Sequence, residues 1–549
     1  MANMGKIRQR VLTPAILCAL LIPTLLQGQK FYPDDPIRTL PAPLAVGEMR
    51  NRNLDEVVDF FLESAHWTPR AATPAGEVNT LGEVPDSAWF TNRHAYRRLT
   101  RDELQRGAGN RNEPVPPFTV VGGKAEGISP GFRMRDSAGR LYFVKSDPLS
   151  NPEMATAADV IVSKFLWAIG YNTPENYIIY PHLEDFRLAD DATTMGPYGR
   201  DRKMTWSDFE AIVGNIPHYE GDAFRIMASL AVAGKPVGPF RYSGTRSDDP
   251  NDIVPHENRR DLRGLFVIAA WLNHTDAKAN NSLDTVVEEE GLRYVRHYLI
   301  DFASALGSDS DRPKDARLGH KFMLPTPSEA LGRILALGFY APKWERVHFP
   351  SIPAVGHLEA EAFEPERWKS DYPNPAFLSR LPDDEYWGAK QVLAFSDDDI
   401  RAIVEWGRFS DPRAVDYLTA TLAARRDKIG RTFFSKVLPL DNFRIENGEL
   451  HFDDLAVQYN FRSVEQYTMR WSRLDNGTGR HEVLVGTSTK LPIDTAGAPA
   501  GTYFAALIKS TKVPAQTVTV YIRKEQSAFS VVGIDRTWSR QTEVINTGN

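Results

Sequence analysis

The sequence predicts an α+β chain: a strand-rich stretch with one long helix, then a mainly helical stretch, then a small all-β sandwich. Three observations predict it. Short apolar runs alternate with turn residues from Phe118, apolar positions recur at helical spacing from Arg259, and strand-like runs return between turns beyond residue 440. The 549 residues, 42% hydrophobic and 25% charged, match an ordinary globular composition and allow several domains of roughly 100–200 residues. Disorder, collagen and coiled coil are excluded on the same grounds. With 65 Lys+Arg against 71 Asp+Glu and no basic block, nucleic acid is not an expected partner.

Residues 1–28 open with Lys6, Arg8 and Arg10, continue as an apolar run over 11–26 and turn polar at Gln27. This order predicts a secretory signal peptide, with an uncleaved anchor as the alternative because Leu26 is large for a cleavage site. The chain's 1 cysteine, Cys18, lies inside that run. Disulfides within the chain, thiolate nucleophiles and Cys-based metal sites are therefore excluded from the rest. No apolar run after residue 28 approaches the length of a membrane span. The expectation is an exported protein, periplasmic or extracellular, held by core burial alone.

Residues 29–115 are punctuated by proline and charge and contain one helical patch at 54–62; they predict an extension wrapping the core. Within 116–240 the strands are 118–121, 132–135 and 140–145, the last two joined by the turn Asp136-Ser137-Ala138-Gly139. A helix over 153–169 presents Ala158, Ile161, Phe165 and Ile169 on one face and ends at Gly170. Strands at 177–180 and 224–232 follow, separated by a polar insertion with a short helix near 206–213. Residues 241–437 predict helices at 259–272, 327–337, 397–406 and 412–428, interrupted by a hairpin near 294–300. Residues 438–549 hold strands at 448–452, 467–473, 481–485, 503–508 and 517–523, the pattern of a β-sandwich domain.

One constellation carries chemistry. Phosphoryl transfer needs a carboxylate beside the acceptor hydroxyl, a cation on the transferring phosphate and oxygen ligands for a divalent metal. Asp276, Lys278 and Asn281 stand at 0, +2 and +5, the spacing of a protein-kinase catalytic loop; Asp301 follows the hairpin, where kinases carry a second metal carboxylate. Either segment alone also reads as caps and turns. Upstream, Leu141-Tyr142-Phe143-Val144-Lys145 ends an apolar strand with Lys145 on the face of Leu141 and Phe143. A glycine-rich stretch, Gly122-Gly123 through Gly127-Ile128-Ser129-Pro130-Gly131, precedes it.

In this order the segments resemble the protein-kinase-like fold over about residues 118–430, in its atypical HipA-like, spore-coat and secretory-pathway branch, and uncharacterised exported bacterial proteins of that branch. The resemblance implies a two-lobed domain, 116–240 and 241–437, binding ATP with Mg²⁺ or Mn²⁺. It implies Asp276 as catalytic base with Lys278 beside it, Lys145 on the phosphates, Asn281 and Asp301 on the metal, and Gly127, Ser129 and Gly131 over the phosphates. Residues 231–235 would form the hinge against adenine. Asp159, or else Glu153 at the helix start, would pair with Lys145. His274 and Thr275 stand where the family has an arginine before its base, and Ala303 replaces the glycine after the metal Asp-Phe pair. The acceptor, whether protein, glycan or small molecule, is open, and so is transfer of AMP in place of phosphate.

Two other classes compete. Gly127-Ile128-Ser129-Pro130-Gly131 matches a serine-hydrolase elbow, but Pro130 has no N–H for an oxyanion hole and a strand hairpin follows. A catalytically inactive pseudokinase or envelope binding protein, with the β-domain contacting a glycan or protein, is the alternative from a different class. The full set Lys145, Asp276, Asn281 and Asp301 speaks against it. Of the remaining polar groups, His357 with Glu359 reads as a surface pair, Arg259, Arg260 and Arg263 as a solvated or salt-bridged face, His256 with Glu257 as a helix entry, and Trp89 as packing.

Overall fold

The computed structural model describes residues 28–53, 73–110, 112–123, 131–196, 200–323 and 342–538. The signal segment with Cys18, the helices expected at 54–62 and 327–337, and Gly127 and Ser129 lie outside the described residues. The chain mixes helices and sheets, as its α+β pattern predicts.

The first sheet has seven strands: β1 (Phe118–Gly123), β2 (Gly131–Arg135), β3 (Leu141–Ser146), β4 (Asn176–Ile179), β5 (Phe186–Met195), β6 (Asp201–Lys203) and β7 (Ile226–Leu230). Their order is β4-β7-β3-β2-β1-β5-β6, antiparallel except where β5 runs parallel to β1. Strand alternation decides its two faces. Phe132, Tyr142, Val144, Ile226 and Ala228 point into one core, closed by Phe209 of a helix at Trp206–Val213. Leu141, Phe143 and Lys145 point the other way, and Phe143 stays exposed. β5 lies within the expected polar insertion. Its buried Phe186 and Ala192 are separated by exposed Asp190 and Asp191, so no alternation marks it.

Numbered with α1 at Arg101–Arg106, the long helix α2 spans Met154–Ile169, and Trp206–Val213 is α3. α2 is buried nearly all round because it lies between two cores. Val160 packs with Ile178 and Met227 under the sheet, while Ile161 and Phe165 enter the helical core with Trp271 and Phe395. It stops at Gly170, φ +152°, where a Cβ would lie 2.2 Å from the Phe90 ring.

The helical core is built from α4 (Arg260–Leu272), α5 (Pro382–Leu393), α6 (Asp397–Val404) and α7 (Pro412–Phe434). α4 and α5 cross through two glycines: a Cβ on Gly388 would lie 2.7 Å from the Gly264 carbonyl oxygen, and one on Gly264 would lie 2.4 Å from Trp387. The three arginines at the start of α4 are salt-bridged but not solvated. Arg260 and Arg263 are buried on Asp384 of α5, and Arg259 on Asp261 and Glu77. His357 and Glu359 do not form a surface pair either. His357 stacks on Phe349 and contacts the Lys314 carbonyl, and Glu359 is buried, with Oε2 accepting from the Ala362 N–H.

A three-stranded sheet joins the two regions: β8 (Lys235–Pro236), β9 (Ser282–Glu289) and β10 (Leu292–Leu299), in the order β10-β9-β8. Beyond α7 the chain is strand-rich. A ribbon of β11 (Leu440–Glu446) and β12 (Glu449–Asp454) shares Leu440, Leu450, Trp471, Ile508 and Val520 with a five-stranded antiparallel sheet. That sheet holds β13 (Tyr467–Leu474), β14 (His481–Val483), β15 (Tyr503–Ser510), β16 (Thr517–Lys524) and β17 (Phe529–Thr537), in the order β14-β13-β15-β16-β17.

Residues before β1 touch every one of these regions. Phe31 packs against Tyr503 and Tyr521 of the five-stranded sheet. Val46 joins Val237, Val286 and Val295, and the Arg52 N–H donates to the Val237 carbonyl at 2.9 Å. Trp89 is buried, stacked on His297 with ring centroids 3.5 Å apart, and α1 lies against α6, with the Gln105 amide donating to the Ala402 carbonyl. No helix among the described residues is long and apolar enough to cross a membrane.

Candidate active site

Lys145 leaves β3 one residue before its end, on the sheet face turned away from the Phe132 core, opposite Gly131 on β2 and Met227 on β7. Its Nζ donates to Asp159 Oδ2 at 2.9 Å and to Asp301 Oδ1 at 2.6 Å. Asp159 comes from the second turn of α2 and is buried; its Oδ1 accepts from Asn176 Nδ2 at 2.8 Å. Glu153, the alternative partner, caps the start of α2 and accepts from the Ser410 N–H at 2.8 Å. The ion pair with Lys145 is therefore made by Asp159.

Burial works against the Lys145 charge, yet Asp159 and Asp301 outweigh it and hold the ammonium protonated above the usual lysine range. One ammonium serves two carboxylates. Burial, with Asp301 adding like charge, consequently pushes Asp159 up despite Lys145.

The second half of the site is a loop after α4. Asn273 ends that helix in the left-handed region, φ +50°, and the chain turns through His274 and Thr275 to Asp276. Asn281 Nδ2 donates to both the Asp276 carbonyl and Asp276 Oδ2, each at 2.8 Å. The amide carbonyl oxygen of Asn281 is thereby fixed as the acceptor end of that side chain. Lys278 Nζ lies 3.2 Å from Asp276 Oδ1.

The hairpin β9–β10 brings the chain back. Leu299 pairs with Ser282, and the Ile300 N–H donates to the Asn281 carbonyl at 3.0 Å, so Asp301 emerges beside Asn281. Asp301 itself has φ +60°, a sparsely populated conformation for a residue with a side chain, found more often for Asp than for most. Phe302 behind it is fully buried, edge-on to His274 at 5.8 Å. Burial pushes the His274 imidazole down to about 4, so it is neutral at pH 7.

Of the other expected residues, Gly131 opens β2 beside Lys145, and Gly127 and Ser129 lie outside the described residues. Gly122 and Gly123 have a packing reason instead. A Cβ there would meet the Thr193 carbonyl at 2.9 Å and Thr194 Oγ1 at 2.6 Å on β5. Residues 231–235 run from the first sheet to β8, with the Ala231 N–H on the Leu141 carbonyl and Gly234 at φ +93° against Val286.

Sequence reasoning missed Asn176, which holds the second oxygen of Asp159, and Lys314, buried with Nζ 2.6 Å from Thr275 Oγ1. Neither stands at a motif spacing; only tertiary packing brings them in.

Asp301 and Asn281, on chain segments joined by the Ile300–Asn281 backbone bond, each carry a hard oxygen donor of the kind that suits Mg²⁺ or Mn²⁺. No cluster of three or more His, Cys, Asp or Glu suited to a metal occurs among the described residues.

No protein-family model and no curated protein matches the chain. Two solved structures are similar to it at low scores. One is a crystal structure of the Golgi casein kinase, at 10% identity over 73% of this chain and 96% of that chain, with a TM-score of 0.30. The other is the Golgi casein kinase with Mn/ADP bound, at 11% identity over 61% and 78%, with a TM-score of 0.25.

Proposed function

We propose that the chain is an atypical kinase-like phosphotransferase of the HipA-like and secretory-pathway branch, using ATP and Mg²⁺ or Mn²⁺. A single observation carries this reading: Asp159–Lys145–Asp301 and Asn281–Asp276 form one connected polar array, joined by the Ile300–Asn281 backbone bond. Here residues 116–240 and 241–437 are the two lobes, 29–115 a wrap, and 438–549 a β-sandwich of unequal sheets. Residues 1–28 are an export signal.

In this reading Lys145 binds phosphate oxygens once a nucleotide separates it from Asp301, while Asp159 keeps the ammonium charged and in place. Asp301 and Asn281 would hold a divalent metal, which would supply charge neutralisation on the phosphates. Asp276 takes the proton of the acceptor hydroxyl as that oxygen bonds to the γ-phosphorus and the bridging P–O bond to ADP breaks. Asn281 orients the Asp276 carboxylate, and Lys278 lies beside it to offset charge gathering on the transferring group.

The test is thermal unfolding of residues 29–549 with ATP and Mn²⁺ or Mg²⁺, repeated on Asp301→Ala. A metal-dependent rise in Tm that the variant lacks is expected; no shift with any nucleotide and metal overturns the reading.

A further inference from the structure

Lys314 lies outside the array just described, yet its side chain joins the two loops that carry Asp276 and Asp301. It is 1% exposed. Its Nζ donates to Thr275 Oγ1 at 2.6 Å, one residue before Asp276, and to the Ser304 carbonyl at 3.0 Å, three residues after Asp301. Beside it the Leu306 N–H donates to the Leu272 carbonyl at 2.9 Å. Both loops are thus fastened at the same place.

An ammonium buried on two neutral oxygens is an expensive way to fill space. A buried charge is retained where its directed hydrogen bonds fix an arrangement that an apolar side chain would leave loose. The compensating charge is set further back: Asp309 and Asp371, both pushed up by burial, are each drawn down first by Lys314. The Lys314 backbone is held as well, its N–H on the Gly307 carbonyl at 2.8 Å and its carbonyl against the His357 ring. The ammonium is consequently aimed by its own main chain.

We propose that Lys314 is a positioning residue that sets the distance and orientation between the Asp276 loop and the Asp301 loop. Its link to turnover rests on the phosphotransferase reading; its link between the loops does not. The pairing is broken by Lys314→Met, which keeps the length and removes the donors, and kept by Lys314→Arg.

The experiment has two arms on residues 29–549. In hydrogen exchange without nucleotide, Lys314→Met is expected to speed exchange together in 273–281 and 301–308, leaving α7 and the five-stranded sheet unchanged, with Lys314→Arg closer to wild type. Faster exchange in only one loop, or in neither, overturns the proposal, and so does a uniform loss of protection across the molecule. If Lys314→Met does not fold, Thr275→Val removes one end of the bridge and must produce the same paired effect. With ATP and Mn²⁺, ADP formation is expected to fall about a hundredfold, because small misplacements of reacting groups have effects of that size. The KM for ATP stays within about threefold. A wild-type chain that forms no ADP overturns the phosphotransferase reading, and the exchange arm still decides whether Lys314 links the loops.

Discussion

Asn281 gives both amide hydrogens to one residue, Asp276: one to its backbone carbonyl and one to its carboxylate, each at 2.8 Å. The carboxylate is thereby held against its own loop instead of turning freely in the cleft. Asp276→Asn removes the proton acceptor without changing size and is expected to lower turnover by about 10²–10⁴-fold while nucleotide binding persists. ADP release measured beside the nucleotide-dependent rise in Tm checks this. Equal loss of both would remove Asp276 from the role of base.

Lys145 is the cation against the buried Asp159 carboxylate, whose other partner, Asn176, is neutral. Lys145→Met leaves that carboxylate uncompensated and is expected to destabilise the fold by about 3–5 kcal/mol at pH 7.5. Burial already raises Asp159, and Lys145 is what draws it down. Without the lysine the carboxylate takes up a proton more readily, so the loss shrinks as pH falls to 5. Urea unfolding of the variant and wild type at the two pH values reads the difference.

Lys164 on α2 makes the opposite case. Burial, with Arg408 adding like charge, pushes its ammonium down to about 7 from an ordinary value of 10.5. Between those values the unfolded chain carries the proton and the fold does not, so wild-type stability falls as pH drops from 10.5 to 7. Lys164→Met removes that slope. It is expected to stabilise the protein by roughly 2–4 kcal/mol at pH 7, with the gain vanishing toward pH 10. Tm of both proteins across that range is the measurement, and a gap that widens with pH would contradict the assignment.

Gly388→Ala should destabilise although alanine favours helix. The gain in propensity is about 1 kcal/mol, but the added methyl would lie 2.7 Å from the Gly264 carbonyl oxygen, which is backbone and cannot turn aside. Overpacking of this kind costs about 1–3 kcal/mol. Chemical denaturation gives the sign.

Much of the candidate site was legible because its spacing is local. Asp276, Lys278 and Asn281 lie within six residues, and a recognisable hairpin places Asp301 after them. Lys145 was legible from the strand period, which sets the face it leaves, whereas Asp159 came in only through the resemblance, with Glu153 as its alternative. The rest depended on partners far along the chain. The first turn of α5 carries Asp383-Asp384-Glu385, which reads as loop until Arg260, 124 residues earlier, neutralises Asp384 inside the core. β5 hides in the same way: its charged residues face solvent, and only pairing with β1 shows it to be a strand. Lys314 carries no signal at all, because a lone lysine between aspartates looks like surface.

Phe31 lies against Gly533, where a Cβ would come within 2.3 Å of its ring, and the Lys30 ammonium reaches Tyr521 at 2.9 Å. The two ends of the described chain thus close on each other around everything between them. A ribosome makes residue 31 some five hundred residues before the strand that receives it, so this contact cannot form while the chain is growing. Until β15 and β16 emerge with Tyr503 and Tyr521, Phe31 has none of its aromatic partners. Its place in the fold is thus made by residues synthesised at the far end of the chain.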